Sequence, residues 1–203
     1  MGSTLALSKA LHKVVNNGLM TEHFVLRPFQ RADLEAFTAY RADPKVAKYQ
    51  SWTDYSYSDA LALFEKMDYA QFGAVDTWFQ LAIVSGASGT TPTQLVGDLA
   101  LHFIDEQQVE IGFTIAPEHQ GKQVAFEAVS ALLDYLFIEL HKHRVIAITD
   151  AQNLACCRLL EKLRFRREAH YVKNIFFKGA WGDEFVYALL KEEYSFLLGA
   201  KYR

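Results

Sequence analysis

The sequence predicts a mixed α/β (α+β) fold, in which a mostly antiparallel central sheet is flanked by helices. Three observations carry that expectation. Three strand-like segments follow one another at hairpin distance: 78–84 (WFQLAIV), 95–104 (LVGDLALHFI) and 108–116 (QVEIGFTIA). A long helical pattern then starts at Val124. It is followed by 144–149 (RVIAIT), a short apolar run of the kind buried on both faces of a sheet. Consecutive hairpin strands argue against a doubly wound parallel sheet.

The remaining elements follow in order. Residues 1–20 are weakly amphipathic and read as an extra helix or arm; 21–203 read as a single domain. Thr21–Phe29 alternates like a strand. Arg31–Asp43 carries Leu34, Phe37, Thr38 and Arg41 at helical spacing, and Pro44 reads as its stop signal. Ser58 is the expected N-cap of a second helix running to about Phe72. The stretch 85–93 (SGASGTTPT) is a hairpin turn, too short to link domains. From Val124, apolar residues recur to Leu140 in a double stripe wide enough to lie on a sheet. Asn153–Lys162 is a further amphipathic helix. Tyr171–Lys178 and Glu184–Leu190 close the chain as strands around a Gly179–Gly182 turn.

Composition narrows the function. The chain has 203 residues, 51% of them hydrophobic, enough for a full core without disulfides or metals. A net charge of −3 argues against binding DNA through a broad basic face. The two cysteines, Cys156 and Cys157, are adjacent and form no CxxC pair, so no metal is expected. They suit a reducing, cytoplasmic setting. No apolar run of about 20 residues and no signal-peptide pattern is present, so no membrane partner is expected.

The chemistry concentrates in Ala116–Ala125 (APEHQGKQVA), where a strand ends, a polar loop follows and the long helix begins. A helix start leaves backbone N–H groups unpaired and carries partial positive charge, which suits a phosphate or pyrophosphate. Gly121 allows close backbone approach and Lys122 adds charge. Neither the GxxxxGK[ST] nor the GxGxxG pattern is present, so this is neither a P-loop nor a dinucleotide loop. An ordinary strand-to-helix loop remains the plainer reading of these residues alone.

Four segments together carry a resemblance. They are TEHFVLRPFQRADLEAF, VEIGFTIAPEHQGKQVAFEA, NLACCRLLEKLRF and HYVKNIFFKGAWGDEFVYALLKEEY. In this order, from about Thr21 to Leu190, they resemble the GNAT superfamily of acyl-CoA N-acyltransferases. Within it they resemble the ribosomal-protein N-terminal acetyltransferase branch (the RimJ/RimL type). The resemblance implies acetyl-CoA as co-substrate, a primary amine as acceptor (a protein N-terminus or a small molecule), and by family habit a homodimer. The alternative is a GNAT-fold module that binds coenzyme A without turnover.

The resemblance implies roles residue by residue. The family loop Q/R-x-x-G-x-G/A is met by Gln120 and Ala125, with Gly121, Lys122 and Val124 between, but Gln123 stands where the middle glycine is usual. That substitution is costly if the position needs a positive φ and harmless if it belongs to the helix's first turn; the second is the expectation. Asn153 matches the residue that caps its helix and contacts the pantetheine arm. The third hairpin strand is implied to splay from the next, giving Phe113, Thr114 and Ile115 backbone roles toward coenzyme A. Arg164 replaces a usual glycine, which suggests a different turn after the helix.

The implied reaction needs a base for the attacking amine and a proton for the leaving thiolate. Glu110, opposite the apolar stripe of its strand, is the first choice for the base; as a plain solvated residue it needs no role. Asp98, His102 and Glu106 stand in reserve. Cys156 is the candidate acid or else a small buried residue, and Tyr171 is a second donor. Tyr49, Trp52, Tyr55, Tyr57, Trp78 and Trp181 either cage an ammonium or fill the core.

Overall fold

The protein, seen in a computed structural model, is described over residues 10–11, 13–86 and 93–195. Its spine is an eight-stranded sheet, ordered β1-β2-β3-β4-β5-β6-β8-β7. The strands are β1 (Leu19–Met20), β2 (Phe24–Pro28), β3 (Thr77–Ser85), β4 (Leu95–Phe103), β5 (Gln108–Ile115), β6 (Arg144–Asp150), β7 (Arg166–Phe177) and β8 (Ala180–Leu190). Every neighbouring pair is antiparallel except β5 with β6. The expected mixed, mostly antiparallel sheet is therefore present. The hairpin turn between β3 and β4 lies mainly outside the described residues, as do residues 1–9.

Among the described residues, helices α1 (Leu34–Arg41), α2 (Pro44–Ala47), α3 (Tyr57–Lys66), α4 (Val124–Asp134) and α5 (Leu154–Lys162) flank the sheet, and residues 13–17 are helical as well. Two apolar layers explain why the central strands are buried on both faces. One layer sets Phe79, Leu81, Leu99 and Ile111 of the sheet against Ala128, Leu132 and Leu160 of α4 and α5. The other sets Ala82, Val84 and Leu95 against Phe37 and Ala60 of α1 and α3. Successive residues of β3 thus alternate between the two layers, the period-2 rule of a strand. Each large side chain so buried contributes about 1.5–3 kcal/mol.

The boundaries depart from expectation at several points. Ser56, not Ser58, caps α3; it accepts from the Asp59 N–H in a capping box, and the helix ends at Lys66. Pro44 does not merely stop α1. It occupies the first turn of α2, where its missing N–H costs nothing, and Asp43 caps that turn by accepting from the Lys45 N–H. The long helix is α-helical only to Asp134 and then widens into a π-helical turn, Tyr135–Glu139. β7 starts at Arg166, five residues before the expected Tyr171. The β7–β8 turn is Lys178-Gly179, both at positive φ (53° and 78°), the geometry of a tight two-residue hairpin. The pair Leu19–Met20 adds an edge strand that no pattern announced. Among the described residues, no helix is long and apolar enough to cross a membrane.

The turn after α5 keeps the usual form despite Arg164. Arg164 N–H donates to Glu161 O and Phe165 N–H to Leu160 O, with Arg164 at φ 69°. That is a Schellman ending with arginine in the left-handed position that favours glycine. The expected different turn does not occur.

Candidate active site

β5 and β6 pair only at Gln108–Arg144, Val109–Val145 and Glu110–Ile146. Beyond that point β5 stays with β4 up to Ile115, and β6 stays with β8 up to Asp150. The sheet therefore opens like a V whose vertex is Glu110–Ile146. A cleft of about 560 Å³ passes through the opening, between Phe113, Thr114 and Ile115 on one side and Ala147, Ile148 and Thr149 on the other. It joins the two faces of the sheet. Gln120, Asn153 and Cys156 line it on the α4–α5 face; Tyr49, Asp150 and Glu184 line it on the other.

The loop into α4 shapes one end of the cleft. Pro117–His119 forms a single 3₁₀ turn, and the Gln120 side chain folds back to donate to Ile115 O at 2.9 Å. Gly121 follows at φ 71°, with open space where a Cβ would point. Gln123 is the N-cap of α4 at φ 62°, ψ 7°. The expectation that it belongs to the first helical turn is overturned: it holds the left-handed conformation for which glycine is best suited. Its side chain does not cap the helix. Val124 and Ala125, whose N–H groups open α4, line the cleft.

The cations differ from expectation too. Lys122 is exposed and stands outside the cleft wall. Lys162, at the end of α5, lines the cleft instead. Its ammonium lies 3.3 Å from Gln123 Oε1 and 4.2 Å from the centre of the Phe126 ring. Sequence reading passed over Lys162, because a lysine in a helix's last turn needs no other reason to be there. Open backbone donors, a bare Gly121 and one nearby ammonium fit a pyrophosphate. The parted strands leave backbone groups for an extended amide-bearing arm.

Asn153 caps α5, its Oδ1 accepting from the Cys156 N–H at 3.2 Å. Cys156 lines the cleft, and burial pushes its thiol up to about 11, with Thr149 opposing. At neutral pH it therefore keeps its proton, but releases it less readily than an ordinary thiol.

Glu110 stands at the vertex of the strand opening, on the face away from α4 and α5 and just outside the cleft wall. Partial burial raises its carboxyl above the usual range and His102 lowers it, while Glu184 raises it further. The reserve candidates separate clearly. Asp98 accepts from Tyr40 Oη (2.5 Å), Arg41 Nη2 (2.9 Å) and Gln80, so its oxygens are committed to tying β4 to α1. Glu106 is exposed on the β4–β5 turn. His102 stacks on Trp78, centroids 4.7 Å apart, with Nδ1 3.7 Å from Glu110 Oε2. Tyr171 is half exposed beside Glu184, outside the cleft wall.

Of the six aromatics expected to cage an ammonium or fill the core, Tyr49 alone lines the cleft. Trp52 and Tyr55 sandwich Arg41 with Phe37, the guanidinium 4.2 Å from both the Phe37 and Trp52 rings. Trp181 packs on Phe176 at the surface and Tyr57 is exposed at the start of α3.

Comparison with known proteins fits this geometry. A family model described as an acetyltransferase (GNAT) domain matches residues 23–166. The chain is 29% identical over 178 residues to the uncharacterized N-acetyltransferase YnaD of Bacillus subtilis, spanning 87% of this chain and 99% of that protein. It is 31% identical over 100 residues to a spermidine N(1)-acetyltransferase of Vibrio cholerae, spanning 49% of this chain and 57% of that one. Among solved structures, a GNAT-family acetyltransferase from Bacillus anthracis superposes with a TM-score of 0.76 at 30% identity, over 87% of this chain and 99% of that one. The fold is also that of a Vibrio cholerae spermidine N-acetyltransferase solved with CoA and spermine (TM-score 0.71, 24% identity, 85% and 98% covered).

Proposed function

The chain belongs to the GNAT acetyltransferase family, and on that premise we propose that it transfers the acetyl group of acetyl-CoA to a primary amine by direct attack within a ternary complex. The observation that carries the reading is the opening of the sheet beyond Glu110–Ile146, which joins the α4 N-terminus on one face to a carboxylate-bearing pocket on the other. The family supplies acetyl-CoA as the acyl donor, an activated thioester. The backbone at Gly121–Ala125 and Lys162 hold its pyrophosphate, and the parted edge at Phe113–Ile115 pairs with its pantetheine amides. Asn153 orients the arm through the start of α5.

Glu110 removes the proton that keeps the incoming amine unreactive, and Cys156 lines the cleft as a small, protonated thiol. Asp150 and Glu184 on the acceptor side favour an amine that carries a further positive charge. The spermidine acetyltransferases among the relatives support the same class of acceptor. The four-segment likeness supports a place near the ribosomal-protein N-terminal acetyltransferase branch.

Titration with acetyl-CoA tests the core of this reading. Gly121→Ala adds only backbone strain of about 1 kcal/mol and keeps affinity within a few-fold. Gly121→Glu adds the same strain plus an anion pointed at the pyrophosphate, and affinity falls by about 100-fold or more. Equal affinities for parent and Gly121→Glu would remove the pyrophosphate from this loop.

A further inference from the structure

We propose that His102 is a positioning residue that passes the acceptor's proton from Glu110 to solvent by way of Asp76. The inference rests on Glu110 acting as the base.

The three side chains form a line beside the point where β5 and β6 part. Glu110 Oε2 is 3.7 Å from His102 Nδ1, and His102 Nε2 is 3.2 Å from Asp76 Oδ1. The path ends in the open: the side chains of Glu110, His102 and Asp76 are 24%, 18% and 87% exposed. Strand register sets the first contact, because His102 and Glu110 are directly opposed on β4 and β5 and share a face. Stacking sets the second. The imidazole lies parallel to the Trp78 indole, tilted by only 9°, so that its two nitrogens are aimed edgewise at the two carboxylates. A histidine between two carboxylates can take a proton at one nitrogen and release another from the opposite one.

The reaction has a proton to dispose of. An amine enters as the ammonium and leaves as an amide, so its nitrogen sheds two protons. One goes to the sulfur as the C–N bond forms and the C–S bond breaks, the sulfur keeping the bond's electron pair. The other must reach water. The cleft admits both substrates, so a separate exit lets that proton depart while the cleft is filled. Glu110 takes it, His102 relays it, and Asp76 delivers it. The other charged groups near Glu110 do not compete. Glu184 on β8 lines the acceptor side of the cleft, and Arg144, on the same face of β6, is bound to Glu168.

The test is the pH dependence of kcat/KM for His102→Gln, Asp76→Asn and Glu110→Gln, with acetyl-CoA affinity measured alongside. Glu110→Gln should lose about 100-fold or more. His102→Gln should lose about tenfold, with the acidic limb moved up by roughly half a pH unit, because the neighbour that favours ionised Glu110 is gone. Asp76→Asn, at an exposed site that leaves the fold intact, should lose a few-fold at all pH values. A His102→Gln profile that superimposes on the parent's, beside an inactive Glu110→Gln, would overturn the relay alone. An active Glu110→Gln would overturn the base assignment and the relay with it.

Discussion

At Gln123 and Arg164 the chain places long side chains in the left-handed backbone region, at φ 62° and 69°. Both follow from local geometry that needs glycine's freedom more than a side chain's chemistry. Arg164 completes a Schellman turn, so Arg164→Gly should stabilise the protein by about 1 kcal/mol. In a chain of this length that is a rise of roughly 2–4 °C in Tm. Thermal melting checks it, and no rise would mean that the arginine makes a compensating contact. Gln123 differs, because its amide holds Lys162 at the cleft. The residue types at both positions were plain in the sequence; their φ values were not. A positive φ is forced by how a loop must turn to meet the next helix, and composition does not carry that information.

Among the elements, β7 was the least legible. It is an edge strand and largely exposed, so it carries no apolar alternation to mark its start. Charge binds it instead. Glu168 accepts from Arg144 of β6 and from Arg166, and Arg166 also pairs with Glu193. Hydrogen bonds from Arg144 above all hold the Glu168 carboxyl down to about 2. A carboxylate lowered in the folded state contributes stability above its unfolded pKa of about 4.5, and that stability is lost as pH falls toward 2. Glu168→Gln should therefore lower Tm near neutrality and flatten its decline between roughly pH 5 and 2. Melting curves across that window decide it; parallel curves would mean that solvent screens the cluster. The helices were better marked, since an apolar stripe and a cap are both local. Even so, Pro44 shows the limit: the residue that ends one helix also begins the next.

The whole molecule works by joining two faces. Coenzyme-type features gather on the α4–α5 side, while Tyr49, Asp150 and Glu184 gather on the other. The β7–β8 hairpin closes over the second side, where Lys178 Nζ donates to Ala47 O at the end of α2. If Glu184 selects cationic acceptors, Glu184→Gln should raise KM for a polyamine by about tenfold. KM for an amine with no second charge should stay within two-fold. Steady-state kinetics with the two acceptors decide it, and equal changes in both would assign Glu184 to packing.

The sequence by itself determined the sheet's strands in the middle of the chain, the helix that begins at Val124, and the cap at Asn153. Each depends on neighbours a few residues apart, through alternation, periodicity or a single side-chain bond. Only the tertiary structure decided the rest. It set the point after Glu110 at which β5 parts from β6, withdrew Asp98 into a buried network with Arg41, put Lys162 rather than Lys122 at the cleft, and aligned Asp76, His102 and Glu110. Those groupings join residues far apart in the chain. Their partners are chosen by strand register and helix packing, which no local pattern specifies.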